Sequence, residues 1–124
     1  MSLILIVEDN EKNLKLVRDV LEVKGHATLV AGTGEEGVAL ARLQVPDLVL
    51  MDIQLPGISG VEALARLRGD PATAAIPVAA VTASVMQQDR SAITAAGFDA
   101  YIGKPIDLKS FLAEVQRLLE GGRR

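Results

Sequence analysis

The chain has 124 residues, a formal net charge of -3 from 13 basic and 16 acidic side chains, and no cysteine. That length suits one domain with a real core, and the missing thiols exclude disulfides, thiol catalysis and thiolate metal sites. Aromatic residues make up 2% and no basic cluster precedes Arg123-Arg124, so neither base stacking nor counterion-release binding of nucleic acid has a footprint.

Met1-Ser2-Leu3-Ile4 lacks the basic region and cleavage site of a secretory signal, and no apolar run approaches a membrane span. A soluble, cytoplasmic chain engaging neither nucleic acid nor membrane is expected. Leu3-Ile4-Leu5-Ile6-Val7 is too short for a helix and predicts a buried strand stopping at Glu8-Asp9-Asn10. From Glu11 to Lys24, Leu14, Leu16, Val17, Val20, Leu21 and Val23 recur at helical spacing, and Gly25 supplies the stop. The apolar arc is wide for a core-facing stripe; it fits packing on a neighbouring helix or a docking patch that includes Leu16 and Val23.

Ala27 to Ala31 predicts a short strand, and Gly32-Thr33-Gly34 leads into a helix over Glu35 to Leu43 with an acidic first turn. After Pro46-Asp47, the run Leu48-Val49-Leu50-Met51 ends in Asp52, as a strand buried on both faces would. Ser59 can cap a third helix carrying Val61, Leu64 and Leu67 and ending by Gly69. Asp70 to Ala75 is a loop, and Ile76 to Val81 predicts a strand terminated by Thr82-Ala83-Ser84. Val85 to Ala96 is a weakly amphipathic helix anchored by Met86 and Ile93, and so a candidate mobile element. Asp99 to Ile102 makes a last strand before Gly103-Lys104-Pro105. Leu108, Phe111, Leu112, Val115, Leu118 and Leu119 give a final amphipathic helix, and residues 121–124 a frayed tail.

Strands and helices alternate five times, which predicts an α/β domain whose parallel sheet is covered by helices on both faces. Ligands of such sheets bind beyond the carboxyl ends of the strands. Those ends carry Glu8 and Asp9, Asp52, Thr82 and, soon after the fifth strand, Lys104. Singly, the acid pair could favour a helix N-terminus, Asp52 could serve a turn, Thr82 could cap a helix and Lys104 could be a solvated loop residue. Together they form an all-oxygen anionic cluster suited to Mg²⁺, beside a hydroxyl and a cation that a phosphoryl oxygen would use. The chemistry that fits is phosphoryl transfer onto Asp52.

Four segments, Val7-Glu8-Asp9-Asn10, Met51 to Gly57, Val81-Thr82-Ala83 and Gly103-Lys104-Pro105, resemble the signatures of the receiver domain of two-component response regulators. The resemblance covers essentially the whole chain. It implies a (βα)5 flavodoxin-like, doubly wound domain over residues 1–120 with sheet order 2-1-3-4-5, an order supplied by the family and not by the residues. It implies Asp52 as phosphoacceptor, and a Mg²⁺ cofactor held by Asp9, Asp52, the Gln54 backbone carbonyl and, through water, Glu8. Lys104 would pair with the phosphoryl group. Thr82 would move to hydrogen-bond it, and Tyr101 would turn inward, switching the face formed by helix four, strand five and helix five. A cis peptide at Lys104-Pro105 is expected on the same grounds.

The implied partners are a histidine kinase or histidine phosphotransfer protein upstream and a protein target downstream. Enzymatic activity would be limited to the chain's own phosphorylation and dephosphorylation. Glu8 replaces the aspartate of many members, while Gln54 and Ser84 occupy variable positions that tune phosphoryl lifetime. The chain's start at Met1 and its end just past the last helix imply a stand-alone receiver with no output domain. An excised receiver of a hybrid kinase or multidomain regulator, or a degenerate, unphosphorylated interaction module, would carry the same residues. A haloacid-dehalogenase-like phosphatase would need an acid where Gln54 stands. A flavodoxin-like flavin binder would have its phosphate repelled by Glu8-Asp9.

Overall fold

A computed structural model describes residues 2–83 and 87–121, without the side chains of 87–90. The expectations for Ser84, Val85, Met86 and residues 122–124 lie outside the described residues. In chain order come β1 (Leu3–Val7), α1 (Glu11–Val23), β2 (Ala27–Ala31), α2 (Gly34–Gln44), β3 (Leu48–Asp52), α3 (Gly60–Arg68), β4 (Val78–Thr82), α4 (Gln87–Ala96), β5 (Ala100–Gly103) and α5 (Leu108–Gly121). All strand pairs are parallel and the sheet order is β2-β1-β3-β4-β5. This is the flavodoxin-like order, and strand order reverses between β1 and β3.

Strand residues alternate between two cores, as the pleat's period of two requires. Leu5, Val7, Val49, Met51, Val78 and Ala80 face Val38 and Ala41 of α2, Leu64 and Leu67 of α3, and Ile93 of α4. Ile4, Ile6, Leu48, Leu50, Ala79 and Val81 face Val17 and Leu21 of α1 and Phe111, Val115 and Leu118 of α5. Burying a side chain such as Leu64 or Leu67 is worth roughly 1.5–3 kcal/mol relative to leaving it exposed. Continuing the alternation, Glu8 and Asp52 fall on the α1/α5 side of the sheet edge and Thr82 on the α4 side.

Several boundaries differ from the sequence expectation. β4 begins at Val78, after the proline: Pro77 has no N–H for the ladder, although its carbonyl accepts from the Val49 amide at 3.0 Å. β5 begins at Ala100, because the Asp99 carboxylate turns back to accept the Val78 N–H at 2.8 Å. α2 starts at Gly34 with Thr33 as its N-cap, and Gly121, expected in the tail, is the last residue of α5. Val61 and Leu108 follow the apolar spacing but are exposed. Leu16 and Val23 are also exposed, so the wide arc of α1 is only partly consumed by packing.

Candidate functional site

Each side chain at the site is delivered by the end of a buried element. β1 and β3 are adjacent and in register, so the residue after Val7 and the last residue of β3 reach the same edge. Glu8 and Asp52 are both buried there. Lys104, one residue past β5, returns across the edge, with its backbone N–H donating to the Thr82 carbonyl at 2.8 Å. Its Nζ lies 2.8 Å from Asp52 Oδ2 and 2.9 Å from Glu8 Oε1. The Lys104-Pro105 peptide is cis, as expected.

Asp9 is exposed, yet one carboxylate oxygen each from Glu8, Asp9 and Asp52 lie within 4.8 Å of one another. Among the described residues, three carboxylates against one ammonium leave a surplus of negative charge at this edge. Burial, followed by the hydrogen bond and charge of Asp52, raises the Glu8 pKa, with Lys104 opposing. Burial alone would lower the Lys104 pKa, but hydrogen bonds and charges from Asp52 and Glu8 outweigh it and raise it. The donors are all hard oxygens and exceed the resident cation in charge, so a divalent ion such as Mg²⁺ fits them.

Of the single-residue alternatives, Asp52 does serve its turn by accepting the Gln54 N–H, whereas Lys104 is not a solvated loop residue. Asn10, not the acid pair, caps α1, its Oδ1 accepting the Lys12 and Asn13 amides at 3.1 Å each. Thr82 is the buried last residue of β4. The Lys104 side chain is 18% exposed and doubly paired, which is not a solvated loop lysine.

Gln54 donates its backbone N–H to Asp52 Oδ1 at 2.9 Å, so the two Asp52 oxygens have different partners. Thr82 stands on the neighbouring strand and lines a groove between α3 and α4 with Ile53, Gln54, Val61 and Ile93. Tyr101 is not part of the anionic cluster. It is half-buried against the α2–α4 core, opposite Ala80, two residues along the ladder from the Thr82–Gly103 pair.

Sequence reasoning missed the residues that hold the loop after Asp52. A side chain at Gly60 would run into the Asp52 carbonyl, and the Gly60 N–H closes the loop on the Ile53 carbonyl at 3.0 Å. A glycine directly after a cap, where helix formers are preferred, was the available signal. Glu35 accepts the Ile58 N–H at 3.4 Å, and a separation of 23 positions left no local trace of it.

Comparison with known proteins agrees with this architecture. The sequence model described as "Response regulator receiver domain" matches residues 4–116. The polar-differentiation response regulator DivK of Brucella ovis is 46% identical over 116 residues, covering 94% of each chain. The receiver domain of a signal transduction histidine kinase from Syntrophus aciditrophicus superposes with a TM-score of 0.89 at 31% identity, over 98% of this chain and 92% of that one. The receiver domain of a sensor histidine kinase from Pseudomonas aeruginosa, solved with a magnesium ion coordinated in its active site cleft, gives 0.84 at 32% identity, over 97% and 95%. This chain belongs to the response regulator receiver domain family and is a signalling protein of two-component systems.

Proposed function

We propose that Asp52 is the phosphoacceptor, receiving a phosphoryl group from a phosphohistidine on a histidine kinase or phosphotransfer protein. The observation that carries this reading is the convergence of Glu8, Asp9, Asp52 and Lys104 on one sheet edge, three carboxylates beside one ammonium among the described residues. A carboxylate oxygen of Asp52 attacks phosphorus, the phosphorus–nitrogen bond breaks, and the electron pair leaves on the donor imidazole. Burial beside Leu50 and Val81 keeps water from competing at the carboxylate. As the Asp52 carboxylate becomes an acyl phosphate its charge moves to the phosphoryl oxygens, and Lys104 pairs with one of these while remaining beside Glu8.

Asp9, Asp52 and the Gln54 carbonyl would hold Mg²⁺, with Glu8 acting through water; when bound, the ion neutralises charge on the transferring phosphoryl oxygens. Thr82 hydrogen-bonds the new phosphoryl group. It shares its groove with Ile93 of α4 and its sheet face with Tyr101, so its movement reaches the surface formed by α4, β5 and α5. That surface is read by a downstream protein. The likeness to DivK over 94% of both chains favours a receiver that acts by binding partners.

A phosphoryl mimic of beryllium and fluoride, added with Mg²⁺ to isotope-labelled protein, tests the reading. The expected result is a joint shift of the Thr82, Tyr101 and α4 amide signals in the native chain and none in Asp52→Asn. Identical spectra with and without the mimic would overturn it.

A further inference from the structure

We propose that Glu35 is a positioning residue for Asp52. From the first turn of α2 it holds the loop after β3, and through that loop the Gln54 amide that fixes one Asp52 oxygen. The proposal rests on the reading of Asp52 as acceptor and of the edge as a Mg²⁺ site. The loop is tied at both ends to the strand terminus, by Gln54 N–H on Asp52 Oδ1 at 2.9 Å and Gly60 N–H on the Ile53 carbonyl at 3.0 Å. Between these ties Leu55 and Ile58 pack part-buried against the α2–α4 core, while the backbone of the exposed Gln54, Pro56 and Gly57 needs a further restraint.

The tip interlocks with α2. Glu35 Oε1 accepts the Ile58 N–H at 3.4 Å, and its carboxylate lies flat on Gly57, where a Cβ would come within 2.6 and 2.7 Å of its two oxygens. Gly57 has φ +76°, a conformation glycine adopts without cost. From the other side, a Cβ on Gly34 would lie 2.7 Å from Ile58 Cγ1. Each element thus has a glycine where the other presses in. An acid in the first turn is already favoured by the helix dipole, so the carboxylate can reach outward without loss to α2. Glu35 is exposed and touches no charge of the site, so its role is to orient the loop and not to add to the field.

The test compares native protein with Glu35→Ala, Glu35→Gln and, as a control in the same turn, Glu36→Ala. Amide hydrogen exchange is measured at Gln54 and Ile58 without metal, and then Mg²⁺ affinity by calorimetry. Glu35→Ala is expected to speed exchange at both amides and to weaken Mg²⁺ binding about tenfold, the low end for losing an outer partner of a metal site. Its melting temperature should stay unchanged. Glu35→Gln keeps an acceptor oxygen and should restore both quantities; Glu36→Ala should alter neither. Unaltered exchange at Gln54 in Glu35→Ala, or a Gln variant as impaired as the Ala one, overturns the proposal. If the native chain binds no Mg²⁺, the metal-site reading fails by itself, and exchange at Gln54 still decides the role of Glu35.

Discussion

Two ionic clusters sit at opposite ends of the sheet. At the amino ends of β4 and β5, Arg68 pairs with Asp99 at 2.9 Å and donates to the Ile76 and Ala74 carbonyls at 2.6 and 3.2 Å. The Asp99 carboxylate also takes the Val78 N–H at 2.8 Å. At the carboxyl ends, Lys104 bridges Glu8 and Asp52 over similar distances, but a third carboxylate, Asp9, stands beside them exposed. In the first cluster the guanidinium and the carboxylate face each other and both also bond to backbone, stitching α3 to the two strands. The second leaves anionic charge over. Similar distances therefore do not imply equal purpose: the third carboxylate beside Lys104 marks a site that calls for something from outside.

Breaking each cluster should separate them. Arg68→Ala leaves a largely buried carboxylate without its guanidinium and should cost about 3–5 kcal/mol in denaturant unfolding, while leaving Mg²⁺ affinity unchanged. A parallel fall in Mg²⁺ affinity would show that the two ends are coupled. Lys104→Met removes a cation from between two carboxylates and should cost about 1–3 kcal/mol without metal. Saturating Mg²⁺ should recover most of that loss, and a melting curve indifferent to Mg²⁺ would contradict the charge surplus. Asp9→Ala, at an exposed position, should move stability by no more than about 0.5 kcal/mol yet weaken Mg²⁺ binding. An unchanged titration would remove Asp9 from the ligand set.

The two clusters also differ in how visible they were from sequence. Glu8, Asp9, Asp52 and Lys104 each follow an apolar run or a Gly-Pro-flanked turn, so strand periodicity alone brought them to one edge. Arg68 and Asp99 are 31 residues apart, and each looks like an ordinary charge at a helix end or in a loop. The contact between Glu35 and Ile58 was hidden for the same reason, since only tertiary packing of α2 against the loop creates it. Fold class was legible because alternation of β-branched runs with helical spacing is a property of local sequence. Sheet order came from family resemblance, because parallel strands of like composition do not encode which neighbour they take. The misplaced start of β4 shows a local rule overridden: apolar character extended the strand to Ile76, while the missing N–H of Pro77 and the Arg68 bond to the Ile76 carbonyl put that segment to other use.

The most direct test of phosphoacceptance is to locate the modification itself. Protein incubated with a small acyl phosphate and Mg²⁺, then mapped by peptide mass spectrometry, should carry the phosphoryl group on the peptide containing Asp52 and lose it when Mg²⁺ is chelated or Asp52 is replaced by Asn. A phosphoryl group on another peptide, or equal yield without Mg²⁺, would contradict the assignment.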